Sequence, residues 1–292
     1  MLVDPRKHFV WSLDVSSSFF EARSIFTGFV QKRIFFGKKI DSRPIATSLL
    51  GSKLYVLCIN NLVSVSIWTH KTRSYGLRVA NYNAIVPTES TLIILGKYES
   101  LSFDPAKKLA TKIALNTEDS EFVAATYTKG VVYIIARKSE THLLKQYFIV
   151  KNSAQSTEIS LPFWFSSPVL APGKGKIFVF GGRGEGKYQF RNSFSIGIKS
   201  LDTQEGPLLP VGASMKLSTV AKTKDLLGFC TNDKDLIVFN TKTSTFKRLS
   251  EKLADKRVGF LWCYQISLKS YCRIKLDLLS KSVIKEIALL IS

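Results

Sequence analysis

Lys176-Ile177-Phe178-Val179-Phe180-Gly181-Gly182 is a short apolar run that stops abruptly on small residues. The same form recurs in Lys53-Leu54-Tyr55-Val56-Leu57-Cys58, Thr91-Leu92-Ile93-Ile94-Leu95-Gly96 and Val131-Val132-Tyr133-Ile134-Ile135-Ala136. It recurs again in Asp225-Leu226-Leu227-Gly228-Phe229-Cys230 and Gly259-Phe260-Leu261-Trp262-Cys263. From Cys58 to Cys263 the small terminal residues are spaced 38, 40, 45, 49 and 33 apart. A period near forty with one buried strand in each unit is the mark of a radial β-repeat.

Outward from each run the pattern continues. A second strand follows the small residue and ends in a polar turn, as at Trp68-Thr69-His70-Lys71-Thr72, Phe103-Asp104-Pro105-Ala106-Lys107 and Phe239-Asn240-Thr241-Lys242-Thr243. Asp, Asn and Thr suit these places because their side chains bond the backbone two residues on. A further strand follows in most units (Tyr75 to Val79, Leu109 to Leu115, Phe246 to Leu249, Val283 to Leu290), and a weaker one, such as Ile45 to Leu50, precedes the buried run. Four short strands of this kind make one antiparallel blade. The expected fold is an all-β propeller of six blades, with seven as the alternative. Residues 1–292 are expected to form one domain, with 42–290 as the repeats. Residues 1–40, with strands at Phe9 to Asp14 and Phe29 to Phe36, are expected to pair with the C-terminal blade and close the ring, which removes exposed sheet edges.

Gly175 to Gly182, with Phe194 to Leu201 and Asp202 after it, resembles a kelch repeat, and Ser42-Arg43-Pro44 before Ile45-Ala46-Thr47 resembles the opening of a kelch blade. The di-glycine is intact in this unit alone, and Tyr75 or Phe246 stands where the family has a later Trp. The resemblance implies a propeller whose loops on one face bind protein partners.

The chain has 42 Lys plus Arg against 22 Asp plus Glu, a formal net charge of +20. Such a field favours an acidic partner or nucleic acid. No apolar run is long enough to cross a bilayer, and no signal peptide is read at the N-terminus, so no membrane partner is expected. Cys58, Cys230, Cys263 and Cys272 lack CxxC spacing, and three occupy the small-residue slot. They read as buried thiols in a reducing, intracellular and cytoplasmic setting, with the nucleus as an alternative.

Gly181 through Lys187 spells the G-x-x-x-x-G-K of a phosphate loop, but Tyr188 stands where a Ser or Thr would hold Mg²⁺, and no helical pattern follows. The same loop, 183–192, is the longest insertion between second and third strands. It carries Arg183, Lys187, Tyr188, Phe190 and Arg191, basic and aromatic residues interleaved as an acidic peptide or stacked bases would require. These five are the candidate partner-binding residues. Phe163-Trp164-Phe165 reads as packing between blades or as an aromatic lip at the central channel. His8, His70 and His142 have no ligand spacing and read as solvated or capping residues. No catalytic, metal or cofactor residue is assigned. Paired basic residues such as Lys32-Arg33, Lys107-Lys108 and Lys247-Arg248 are expected mostly in turns of different blades, spread around the rim and both faces. The expected function is a non-catalytic module for an acidic protein partner. The alternatives are a nucleic-acid-associated basic propeller and, behind it, an enzyme using the central channel.

Overall fold

Short runs with apolar side chains on both faces can be buried only between two neighbouring sheets, and that requirement sets the architecture. The computed structural model describes residues 8–14, 19–35, 43–59, 61–77, 82–115, 120–161, 166–184, 189–213, 219–231 and 235–249. They form 23 strands, and no helix occurs among them. Blade 1 contains β1 (Phe9–Asp14), β2 (Phe19–Ser24) and β3 (Val30–Phe35). Blade 2 contains β4 (Pro44–Leu50), β5 (Lys53–Cys58), β6 (Asn61–Ser66) and β7 (Thr72–Gly76). Blade 3 contains β8 (Tyr82–Pro87), β9 (Leu92–Gly96), β10 (Ser100–Asp104) and β11 (Leu109–Ile113). Blade 4 contains β12 (Glu121–Thr128), β13 (Val131–Lys138), β14 (Thr141–Phe148) and β15 (Ser153–Ile159). Blade 5 contains β16 (Val169–Pro172), β17 (Lys176–Phe180), β18 (Ser193–Gly197) and β19 (Thr203–Glu205). Blade 6 contains β20 (Ala221–Lys222), β21 (Leu226–Cys230), β22 (Leu236–Asn240) and β23 (Thr245–Leu249). Each blade is an antiparallel meander in chain order.

The second strand of each four-stranded blade is buried on both faces, and its side chains divide between neighbours with period two. In β13, Tyr133 and Ile135 pack toward blade 5, while Val132 and Ile134 pack toward blade 3. In β5, Leu54 and Val56 meet Trp11 and Phe20 of blade 1, while Tyr55 and Leu57 face Tyr82 and Leu92 of blade 3. The sequence therefore reads as a continuous apolar run rather than an alternating one. Six such cores lie between consecutive blades. The sixth joins Val10 and Ile25 of blade 1 to Cys230, Leu236 and Leu249 of blade 6. The molecule is a closed, six-bladed β-propeller.

The six blades are not the six units expected from the repeat. Residues 259–263 lie outside the described residues, and the N-terminal segment supplies a blade of its own. Its strands occupy the second, third and fourth places of a blade. The Ile25 N–H donates to the His8 carbonyl (3.0 Å) just as Ile67 bonds Ser52 (3.0 Å), Ile149 bonds Gly130 (3.1 Å) and Thr241 bonds Asp225 (2.8 Å) in the complete blades. Beside β1, on its axial edge, Thr219 takes part of the vacant place. Its N–H donates to the Trp11 carbonyl (2.8 Å), and its Oγ1 accepts from the Trp11 N–H (2.9 Å). The expected pairing with a C-terminal strand falls on residues 250–292, outside the described residues.

Antiparallel order puts two kinds of turn on one end of every four-stranded blade, termed here the turn face, and the outer kind alone on blade 1 among the described residues. Inner turns (51–52, 88–91, 129–130, 173–175, 223–225) join first to second strands. Outer turns (25–29, 67–71, 105–108, 149–152, 198–202, 241–244) join third to fourth strands. The fourth residue of every outer turn is left-handed: Gly28, His70, Lys108, Asn152, Leu201 and Ser244, with φ from 47° to 76°. The opposite end, the loop face, carries the loops between second and third strands and the connections between blades.

Several sequence expectations change on this frame. Lys32-Arg33 and Lys247-Arg248 lie on the outermost strands β3 and β23, within the strands expected at Phe29 to Phe36 and Phe246 to Leu249, and not in the turns expected of most basic pairs. His142 is buried within β14, 4% exposed, rather than solvated. Phe163-Trp164-Phe165 and Cys263 and Cys272 lie outside the described residues, while Cys58 and Cys230 are buried as expected. No helix of the described residues is long and apolar enough to cross a membrane.

Candidate functional site: the loop between β17 and β18

The loop begins where β17 leaves the core. Gly181 has φ 61° and Gly182 has φ 120°, conformations that favour glycine. A Cβ on Gly181 would run into the Ala213 carbonyl. The di-glycine is therefore required by the close approach of the segment that connects blade 5 to blade 6. The Gly182 N–H donates to that same Ala213 carbonyl (2.7 Å), and the Gly181 N–H to Asn192 (2.9 Å).

Beyond the glycines the loop is tied to both neighbouring connections. Arg183 and Ser166 exchange backbone hydrogen bonds in both directions, at 2.7 and 2.8 Å. The Phe190 N–H donates to Gly182 (2.9 Å), and the Ala213 N–H to Phe190 (3.1 Å). Gly212 lies so close to Gln189 that a Cβ there would sit 2.6 Å from its carbonyl oxygen. The base of the loop is thus a backbone-bonded platform between blades 4, 5 and 6. Strand β18, not a helix, follows it, so no helix N-terminus faces the glycines as a phosphate loop would need.

The five predicted residues separate by role. Arg183 is exposed on the platform, and no ion pair to it occurs among the described residues. Arg191 is also exposed, but its Nε donates to the Leu209 carbonyl (2.7 Å), which fixes the next connection in place. Phe190 is half-buried. Its ring covers Gly184, where a Cβ would lie 2.7 Å from the ring, and packs on the core between blades 4 and 5. Lys187 and Tyr188 lie outside the described residues. Ser166, Leu209 and Ala213 were missed by the sequence reading because they act through backbone groups, which leave no side-chain signal.

Two arginines at strand ends on the loop face are paired with carboxylates. Arg248 grips Asp235 through two nitrogens, each at 2.9 Å, and Arg137 pairs with Glu121. A cleft of about 400 Å³ between blades 3 and 4 is lined by Tyr98, Leu115, Lys145 and Gln155, and its charged wall is an ion pair between Lys112 and Glu99 at 3.3 Å. Burial pushes the nearby Tyr82 hydroxyl up to about 12, with Glu99 adding to the effect. The histidines are dispersed: His8 packs on Phe26, His70 sits in an outer turn, and His142 is inside blade 4. Among the described residues no three His, Cys, Asp or Glu side chains converge as a metal site would need.

No protein-family model matches this chain, and no curated protein is similar to it.

Proposed function

We propose that the chain is a non-catalytic protein-interaction module that holds an acidic protein segment on its loop face, at the platform between β17 and β18. The observation that carries this reading is the platform itself. Backbone bonds to Ser166 and Ala213 hold the described ends of a cationic loop, Arg183 among them, so a ligand would not bear the cost of ordering those ends. Arg183 supplies a planar donor fork suited to carboxylates. A kelch-like origin of the repeat belongs to the same proposal and rests on Gly181-Gly182, the unit in which that family's glycines are kept.

A photo-crosslinking residue at position 183, compared with one at exposed Thr111 on β11, tests the assignment in cells expressing the protein. Acidic protein segments are expected at position 183 and not at 111. Arg183→Glu should weaken the captured complex about tenfold without changing Tm. Equal crosslinking at both positions, or a complex indifferent to Arg183→Glu, would end the reading. Arg191 serves as the structural control: Arg191→Ala loses the bond to Leu209 and should cost about 1 kcal/mol of stability.

A further inference from the structure

The two ends of the propeller differ in charge. Across the described loops and connections of the loop face, four cations (Arg43, Lys97, Arg183, Arg191) face three carboxylates (Glu99, Glu140, Asp235). The inner and outer turns of the turn face hold nine lysines, no arginine and three carboxylates (Glu89, Asp202, Asp225). All nine lysines are exposed. Lys129, Lys174 and Lys224 ring the mouth of the axis on inner turns of blades 4, 5 and 6. Lys71, Lys108 and Lys151 are among those farther out. Lys222 of blade 6 has its pKa lowered by burial and then by Lys129 of blade 4, so positive charge from separate blades converges at the mouth.

The same end exposes apolar side chains at its tips. Phe26 (55%), Trp68 (61%) and Val150 (96%) each stand second in an outer turn, in blades 1, 2 and 4. Leu109 (54%) follows the outer turn of blade 3. Four successive blades thus present an apolar tip on one rim. Lysines border them: Lys151 adjoins Val150, Lys108 adjoins Leu109, and Lys32 lies 5.4 Å from the Trp68 ring centre.

From this juxtaposition we propose that the turn face docks on an anionic lipid bilayer, with Phe26, Trp68, Leu109 and Val150 entering the headgroup boundary and the lysines meeting acidic headgroups. Apolar insertion and a polybasic field are the two contributions that peripheral attachment combines. The competing occupant is single-stranded nucleic acid. It would stack on Trp68 and Phe26, but it gains nothing from Val150 or Leu109, and the all-lysine composition offers point charges rather than forks that read phosphates in pairs. A bilayer uses all four tips. The absence of a spanning run bears on crossing a membrane, not on resting against one.

Co-sedimentation of the full chain with phosphatidylcholine vesicles, and with vesicles in which a third of that lipid is replaced by phosphatidylserine, tests the proposal. Binding is expected to the anionic vesicles alone, with a blue shift in emission that Trp68→Phe removes. The pair Trp68→Ser and Val150→Ser should lower the partition at least tenfold, and each of Lys129→Glu, Lys174→Glu and Lys224→Glu about fivefold or more. These turn positions are exposed, so thermal unfolding checks that each variant folds. Equal binding to both vesicle types overturns the proposal. So does anionic binding that depends on the lysines, ignores the serine pair and is competed by polyuridine; that outcome assigns the face to nucleic acid. Because Arg183 lies on the opposite end, failure here leaves the loop-face reading intact, and the converse holds.

Discussion

Glu21 and Arg23 show how a single pair can hide a strand. Both lie within β2, 6% and 2% exposed, and the Arg23 Nε donates to Glu21 Oε1 at 2.6 Å. Arg33 of β3 donates to the other oxygen at 3.1 Å. One carboxylate thus bonds a buried guanidinium and an exposed one across two strands. Removing Glu21 takes a charged partner at 2.6 Å away from a buried guanidinium, while replacing both by apolar groups removes the buried charge as well. Glu21→Ala should therefore cost about 3–5 kcal/mol, and Glu21→Leu combined with Arg23→Met should recover most of the loss. Urea unfolding of the two variants reads the difference. Equal destabilisation by both would mean that packing, not charge compensation, holds this site.

At the scale of elements, β14 carries a titrating group in its core. The His142 pKa is lowered from 6.5, first by burial and second by Arg137, its cross-strand partner on β13. The unfolded chain then binds a proton that the folded chain refuses. Stability is full above about pH 6.5 and falls as the pH drops below it toward the depressed folded value. His142→Gln should flatten that slope relative to wild type, measured as unfolding free energy against pH. An unchanged slope would place the acid sensitivity elsewhere. Sequence showed less at this scale than at the scale of the repeat. Apolar second strands such as Lys176–Phe180 were legible because both faces are buried. β2 was not, because Glu21 and Arg23 interrupt its apolar pattern and only their pairing makes them compatible with a core. β20, two residues long, and β19, three, are too short for any periodicity. The candidate loop was legible as an insertion of cations. The sharing of work between Arg183 and Arg191 was not, because it depends on the carbonyl of Leu209 eighteen residues away.

For the whole molecule, the question is what holds the first blade to the last. Five of the six inter-blade cores join blades adjacent in sequence; the sixth joins residues more than two hundred apart. Its fit turns on Gly228 in β21, which occupies a position facing blade 1. A Cβ there would collide with Cγ2 of Ile25 and lie 3.4 Å from a methyl of Val10. Gly28 approaches Leu249 of blade 6 in the same way, at 2.9 Å from its Cβ. A closed ring cannot relieve such a collision by moving one blade outward without also breaking the Trp11–Thr219 bonds. Gly228→Ala is therefore expected to cost about 1–3 kcal/mol, the usual penalty of overpacking. Hydrogen exchange should rise together in β1, β2, β21 and β22 and least in β13 and β14, on the far side of the ring. Ile25→Ala should be damaging alone by cavity formation, yet milder in combination with Gly228→Ala, since truncating Ile25 makes room for the new methyl and the methyl fills part of the cavity. Additive losses in that double-mutant cycle, or protection lost in blade 6 alone, would mean that blades 1 and 6 do not press on each other and that the ring is open.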